Sequence, residues 1–393
     1  MKVLLLVITF AIQLFSFPAT TTHVLRVTAN SSRVNETATN FVHQVNLSSD
    51  IAKIDSLIDS SGQVIVVASD STTIKPRDIT YVPGKKFLVS WDGSKSISSN
   101  TDFYICFGNY GAVNAAATYT NSSITNYYGF DRFSGNTFYD YVGSNDGTGT
   151  GVDTVASVFG VGGNFNAAGD NVNLGNVTSL SSVSTFAIQC VVSFSNFTAA
   201  HYVFNRQVSA SMWISIYVTT GNIMYAIVRN NETTSIIQFT NVHTIFGTNS
   251  PKLLTFYYNG ALASGSRVQV FVNGTKLTQT IASVQQSTSV GDMSSVSAYI
   301  GHATATQANV IDEFAIYSSF SVTSVTDRYR VLFDATFYTV GNFVSLPFSL
   351  DTVFISSFKT IYHGNPPDSI SNCSYTVIND TTLGIVPVSY THP

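Results

Sequence analysis

Residues 267–281 read RVQVFVNGTKLTQTI, residues 296–302 VSAYIGH and residues 310–317 VIDEFAIY, and this stretch decides the fold. Val268, Val270 and Val272 alternate with Gln269 and Phe271 and stop at Asn273-Gly274, a dipeptide that supplies positive φ at low steric cost. The pattern predicts two strands and a tight turn. Ile300-Gly301 and the apolar run from Val310 to Tyr317 add two more strands.

Upstream, Phe186, Ile188, Cys190, Val192 and Phe194 occupy every second position, so one face of that strand is apolar and belongs in the middle of a sandwich. Met212 to Val218, the turn Thr219-Thr220-Gly221-Asn222 and Ile223 to Arg229 form a hairpin, and Leu254, Phe256 and Tyr258 mark another strand. Nearer the N-terminus, FVHQVNL (41–47), QVIVVAS (63–69), KKFLVSW (85–91) and TDFYICFGNYGA (101–112) read as strands separated by Gly, Pro, Asp and Ser clusters. Ile51, Ile54, Leu57 and Ile58 predict one short amphipathic helical turn, and Val322, Val325, Tyr329 and Leu332 fall at helical spacing. The chain is therefore expected to be all-β, and its 393 residues to form two or three domains.

Hydrophobic residues make up 44% of the chain and charged residues only 10%, so the polar surface comes from Ser, Thr and Asn, as in extracellular β-proteins. A net charge of −4 leaves no basic field for neutralising phosphates, which argues against nucleic acid and anionic membranes as partners. The opening MKVLLLVITFAIQLFSFPAT pairs one Lys with an apolar run from Val3 to Phe17, the form of a secretory signal cleaved after Ser16 or Ala19; an uncleaved anchor is the alternative. No later stretch reaches the roughly 18 apolar residues of a membrane span, so a secreted or extracellular-surface location is expected.

Asn-x-Ser/Thr glycosylation sites stand at Asn30, Asn35, Asn46, Asn121, Asn176, Asn196, Asn231, Asn273, Asn372 and Asn379. Cys106, Cys190 and Cys373 cannot all pair internally and are too few for a disulfide scaffold. Stability must come from the β cores.

The order FVNG, IGH, IDEFAIY resembles the C-terminal half of laminin-G-like (concanavalin A-like) domains. The stretch YGFDRFSGNTFYDYVGSNDGTGTGVDTVASVFGVGGNFNAAGDNVNLG (128–175) is similar to their opening, and the helical spacing near Phe333 falls where such domains carry a closing helix. QVIVVASDSTTIKPRDI (63–79) and NTDFYICFGNYGAVNAAAT (100–118) resemble a small β-domain that often directly precedes a laminin-G-like domain in surface and virus-associated proteins. Gln63 replaces the acid that leads that family's strand, and Trp91 lies where the family carries an aromatic. The resemblances imply a signal peptide (1–19), a small β-sandwich (22–125), a concanavalin A-like jelly-roll sandwich (128–333) and an incomplete C-terminal β-segment (334–393).

Glycoside hydrolysis on such a sandwich needs paired carboxylates about 5 Å apart. Glu36, Glu232 and Glu313 are the only glutamates, and Asp312-Glu313 is the one adjacent acidic pair. Neighbours on a regular strand point to opposite faces, so that pair is expected not to share a substrate. In phase with Val310, Phe314 and Ile316, Asp312 is expected to face inward, either as a structural acceptor of backbone N–H groups or as a calcium ligand with Asn145, Asp146 and Asp170. Asn145-Asp146-Gly147 is more often simply a turn.

There is no Gly-x-Ser-x-Gly elbow, the seven His are scattered, and Cys190 reads as a small core residue. The glycines Gly160, Gly162, Gly163 and Gly169 read as turn residues, and His302 as a strand-end surface residue. Tyr110, Tyr127, Tyr128, Tyr202 and Tyr257 lie near strand ends as candidates for stacking on sugar, although core packing is their commoner use.

The expectation is a non-enzymatic, lectin-like binding or adhesion module that recognises a glycan or a surface protein. The alternatives are an accessory part of a secreted glycan-active enzyme and a structural surface or virion component. Structural calcium is the only cofactor considered.

Overall fold

The computed structural model describes residues 15–18, 20–59, 63–71, 73–110, 123–231, 233–280, 284–305 and 309–346, with further strands at 353–354, 374–378 and 385–389. Two antiparallel β-units share this span.

The N-terminal unit contains β1 (Thr21–Ala29), β2 (Ala38–Asn46), the short α1 (Ile51–Asp55), β3 (Val64–Ala68), β4 (Arg77–Val82), β5 (Lys86–Lys95) and β6 (Thr101–Gly108). The sandwich that follows contains β7 (Ile124–Tyr128), β8 (Gly147–Thr150), β9 (Asp153–Ser157), β10 (Gly160–Phe165), β11 (Asn171–Asn173), β12 (Thr185–Phe194), β13 (His201–Ser209), β14 (Met212–Val218), β15 (Met224–Asn230), β16 (Thr233–Phe239), β17 (Lys252–Asn259), β18 (Val268–Val272), β19 (Tyr299–Gly301) and β20 (Asn309–Tyr317). A closing helix α2 (Ser324–Phe333) and the strand β21 (Tyr338–Ser345) follow.

A nine-stranded sheet runs β16-β15-β14-β13-β19-β11-β8 and ends in two short strands, Thr137–Phe138 and Phe133–Ser134. The facing eight-stranded sheet runs β9-β10-β20-β12-β17-β18 and ends in Thr275–Lys276, with β7 also paired to β20. Their inner faces meet in one core that holds Phe186, Ile188, Cys190, Val192 and Phe194 of β12 against Phe204, Ile214, Ile216 and Val228. This is the alternation expected of a buried central strand. The Asn273-Gly274 turn follows its sequence signature, with both residues at positive φ, 50° and 79°.

Gly162 and Gly163 lie inside β10, not in turns. A Cβ at Gly162 would come 2.8 Å from Val310, and one at Gly163 would come 2.6 Å from Phe130. Close approach, not turn geometry, requires glycine there.

Residues 334–346, the described start of the C-terminal segment, return to the N-terminal unit. After α2 the chain turns at Asp334, whose carbonyl accepts the Phe337 N–H at 3.0 Å, and β21 then adds to the edge of β1. Val27 pairs with Val340 and Leu25 with Phe343, giving a four-stranded sheet β21-β1-β6-β3 over the three-stranded sheet β2-β5-β4. The added strand satisfies backbone groups that β1 would otherwise present to solvent. Val331, Phe337 and Tyr338 also enter the core formed by Leu25, Val27, Phe87, Val89, Trp91 and Phe103.

The two units are joined by buried polar groups as well as by chain. On α2, Asp327 accepts the Asn35 N–H at 2.9 Å and pairs with the buried Lys95. Arg328 donates to the Val42 carbonyl at 2.9 Å, to the Tyr127 hydroxyl at 3.1 Å and to Glu313 at 2.7 Å. Gln44 donates to the other Glu313 oxygen at 3.1 Å.

A β-bulge in β20 alters the expected phase of the two adjacent acids. Gln189 pairs with Ala315 but Val191 with Asp312, so Cys190 faces two residues, and Glu313 takes φ +52°. Ile311, Phe314 and Ile316 therefore point into the sandwich core, while Asp312 shares the outer face of the sheet with Val191 and Val310. Asp312 does not face the core, and Glu313, held by Gln44, Tyr127 and Arg328, lies on the same outer face.

Candidate functional site

The side chains that face away from the core on the nine-stranded sheet form three rows, fixed by strand register. In β14, Ile214, Ile216 and Val218 point inward, so Trp213, Ser215 and Tyr217 point out. In β15, Met224, Ala226 and Val228 point inward, and Tyr225, Ile227 and Arg229 point out. Tyr217 pairs with Tyr225, Ser215 with Ile227 and Trp213 with Arg229. On the other side of β14, Tyr202, Asn205 and Gln207 of β13 oppose Tyr217, Ser215 and Trp213.

The middle row is sunken. Ser215 is 0% exposed, Ile227 2% and Asn205 7%, whereas Tyr202, Tyr217, Tyr225, Trp213 and Arg229 on either side are half-buried. Small or aliphatic residues between two ranks of large ones make a shallow trough along the sheet. In the tyrosine rank the rings stack on one another: Tyr202 on Tyr217 with centroids 5.0 Å apart, and Tyr217 on Tyr225 with centroids 5.0 Å apart. His302, just past β19, extends the rank with its ring 4.3 Å from Tyr202. The facing sides of these rings are thus covered by one another. None of these three hydroxyls has a hydrogen-bond partner among the described residues.

Burial pushes the Tyr202 and Tyr217 phenols away from ionisation, Tyr217 up to about 12, so both offer neutral O–H groups that donate and accept. His302 Nδ1 accepts the N–H groups of Thr304 and Ala305 at 3.1 Å each, which assigns the ring proton to Nε2, and burial lowers its pKa. The opposite rank is different in kind. Arg229 Nε and Trp213 Nε1 are both shut off from solvent, and neither has an acceptor among the described residues. Each such N–H costs about 1–3 kcal/mol for as long as it lacks a partner.

Of the tyrosines proposed from sequence, only Tyr202 belongs to this face. Tyr127, Tyr128 and Tyr257 are buried, and Tyr110 donates to Thr21 at 2.8 Å beside the N-terminal core. Tyr217, Tyr225, Trp213, Arg229 and Asn205 escaped the sequence reading. Their signal lay in the 214–228 hairpin, whose apolar phase and four-residue turn place Tyr217 opposite Tyr225.

The acidic residues form no cation site of the expected kind. Asn145 donates to the Leu174 carbonyl at 2.8 Å, Asp146 accepts the Asp140 N–H at 2.9 Å, and Asp170 accepts the N–H groups of Asn166 and Ala167 at 2.8 and 2.7 Å. Asp312 stands apart, its Oδ1 accepting the Glu313 N–H at 2.8 Å and its Oδ2 without a hydrogen-bond partner. Among the described residues no three His, Cys, Asp or Glu side chains gather as a metal site.

Asp312, Asp131 and Asp78 form instead an acidic group between the two units. Desolvation and mutual repulsion push Asp312 and Asp131 well above the usual carboxylate range, and desolvation raises Asp78 to about 6. The bulge does bring Glu313 beside Asp312, contrary to the opposite-face expectation, but Glu313 is locked by Arg328, Tyr127 and Gln44. Glu36 likewise serves structure: it accepts hydrogen bonds from Ser321, Thr323 and Ser324 at the start of α2.

Among the glycosylation sites, Asn35, Asn46, Asn176 and Asn231 are exposed and Asn30, Asn196 and Asn273 half-buried; Asn121, Asn372 and Asn379 lie outside the described residues, as do Glu232 and Cys373. Cys106 and Cys190 are free and buried, and burial pushes both thiols up. Among the described residues no helix is long and apolar enough to cross a membrane.

No protein-family model matches the chain, and no curated protein matches it in sequence. In structure it is similar to the botulinum neurotoxin serotype D binding domain, at 14% identity and TM-score 0.41 over 53% of this chain and 51% of that one. It is similar to the binding domain of Paraclostridial Mosquitocidal Protein 1, at 14% identity and TM-score 0.42 over 54% and 53%. A third likeness is to domain 4 of AbnA, a GH43 extracellular arabinanase from Geobacillus stearothermophilus in complex with arabinotriose, at 20% identity and TM-score 0.40 over 52% of this chain and 97% of that domain. The match spans about half the length of the two toxin binding domains. Any functional reading rests on the chain's own residues.

Proposed function

We propose that this chain is a secreted or surface-exposed binding module with a laminin-G-like sandwich, and that it holds a glycan along the outer face of the nine-stranded sheet without cleaving it. One observation carries the reading: the stacked rank Tyr202, Tyr217 and Tyr225 presents three unengaged hydroxyls beside a trough floored by Asn205. Neutral O–H and amide groups on a rigid aromatic support suit a hydroxyl-rich ligand, because the rings lose little conformational freedom on binding. Among the glutamates, Glu313 is buried and committed to Arg328, and the half-buried Glu36 is committed to the start of α2.

The test is retention of the purified protein on a panel of immobilised polysaccharides and oligosaccharides, with the soluble phase assayed for released product. Retention without product is the expected result. Hydrolysis that disappears in Glu313→Gln would establish an enzyme instead, and failure to bind any glycan would remove the reading.

A further inference from the structure

The second rank of the trough differs from the tyrosine rank in charge and in what it leaves unsatisfied. Trp213 and Arg229 are directly opposed across β14 and β15. The residues flanking them in the same row are Gln207 and Thr234, both neutral, and the Gln207 amide is turned to the Ser209 carbonyl at 3.2 Å. Other arginines of the sandwich are engaged: Arg206 donates to the carbonyls of Val177 and Met293, Arg267 to those of Leu262 and Gln286, Arg328 to Glu313, and Arg132 lies 4.8 Å from the Tyr141 ring centroid. Among the described residues, the ion pairs are Arg26–Asp102, Lys95–Asp327, Arg328–Glu313 and Arg330–Asp327, and Arg229 is in none of them. Its Nε and the neighbouring Trp213 Nε1 lack acceptors. The two unsatisfied groups at this end of the trough are both donors.

We infer that Trp213 and Arg229 are the acid-recognising end of the binding face and that the glycan held there carries a carboxylate or sulfate group. The inference rests on the glycan-binding reading above and specifies its ligand class. A guanidinium edge presents two parallel N–H groups to two oxygens of one anionic group, and the indole N–H supplies a third donor. One cation matches a monoanion; a phosphate dianion would call for a second basic residue, and the row holds none. Trp213 and Tyr217 are four residues apart on one strand, roughly 13 Å at 3.3 Å per residue, so a ligand touching both ranks is a short oligosaccharide and not a single ring.

Binding of sialyllactose, sulfated lactose and neutral lactose to the full chain tests this. The acidic ligands are expected to bind at least about tenfold more tightly than lactose, with the advantage shrinking as salt is raised. The tighter of the two identifies the acidic group. Arg229→Gln should bring the acidic-to-neutral affinity ratio to about one. Trp213→Phe, which keeps the ring and removes the N–H, should lower the ratio in a protein whose melting is unchanged. Equal binding of lactose, sialyllactose and sulfated lactose by the native chain overturns the inference and leaves the glycan reading standing, as does a full acidic preference in folded Arg229→Gln. If Arg229→Gln does not fold, the Trp213→Phe ratio and the salt dependence decide. Binding of none of the three, together with an empty glycan panel, overturns both.

Discussion

Arg328→Met should separate the two β-units energetically without changing either core. The Arg328 guanidinium is buried and holds the Val42 carbonyl at 2.9 Å, the Tyr127 hydroxyl at 3.1 Å and the Glu313 carboxylate at 2.7 Å. Methionine keeps much of the volume but strands the Glu313 carboxylate in a site that is 4% exposed. Breaking a buried pair in this way costs about 3–5 kcal/mol, most of it from the uncompensated charge left behind. For a protein of this size each kcal/mol lowers Tm by about 1–2 °C, so a loss of about 3–10 °C is expected in a thermal melt.

Glu313→Gln/Arg328→Met removes both charges and should recover more than half of the loss, because Gln44 and Tyr127 can still bond a neutral amide. A drop below about 1 kcal/mol for Arg328→Met, or a double variant no more stable than the single one, would refute the claim that this ion pair welds the units.

Asp312→Asn should leave the protein as stable at pH 7 or more so, since it removes a carboxyl beside Glu313 and Asp131 whose Oδ2 lacks a partner, while the amide oxygen still accepts the Glu313 N–H; a loss above about 1 kcal/mol in urea unfolding would contradict this. Asp78 is raised from 3.8 to about 6, so its contribution is fully present below pH 4 and lost as pH rises through about 6; Asp78→Asn should flatten the fall in Tm between pH 4 and pH 7, and an unchanged pH profile counts against the assignment. Gly274→Ala should cost about 1 kcal/mol or more, because φ is +79° and the new Cβ would lie 3.1 Å from the Thr326 Cα of α2; an unaltered melt would mean the turn relaxes freely.

Strands with clean alternation and turns with a fixed chemistry were legible from sequence: Phe186 to Phe194, the Val268 hairpin and the closing helix all follow from local pattern. What escaped depends on partners far along the chain. β21 has exposed residues on both faces along most of its length, so Thr339 to Val344 carry no period, and only pairing with β1 makes them a strand. Asp312 was misread because a period-two reading assumes an unbroken strand, and the bulge at Glu313 inserts one residue and reverses the phase. The candidate site was the least legible part. Tyr202, Tyr217 and Tyr225 become one surface only through the registers of β13 with β14 and β14 with β15, and the first of these carries bulges between Tyr202 and Phe204 and between Gln207 and Ser209 that a period-two reading does not see.

The central claim is that the tyrosine rank forms the binding surface. Its most direct test is titration of the strongest glycan ligand into the native chain and into Tyr217→Ala/Tyr225→Ala, with melting curves to establish that both are folded. These rings are half-buried on the sheet face and outside the core, so the double variant should stay folded. A fall in affinity of at least about tenfold, equivalent to about 1.4 kcal/mol, is the predicted result. Undiminished affinity in the folded double variant would contradict the account and place the ligand elsewhere on the chain.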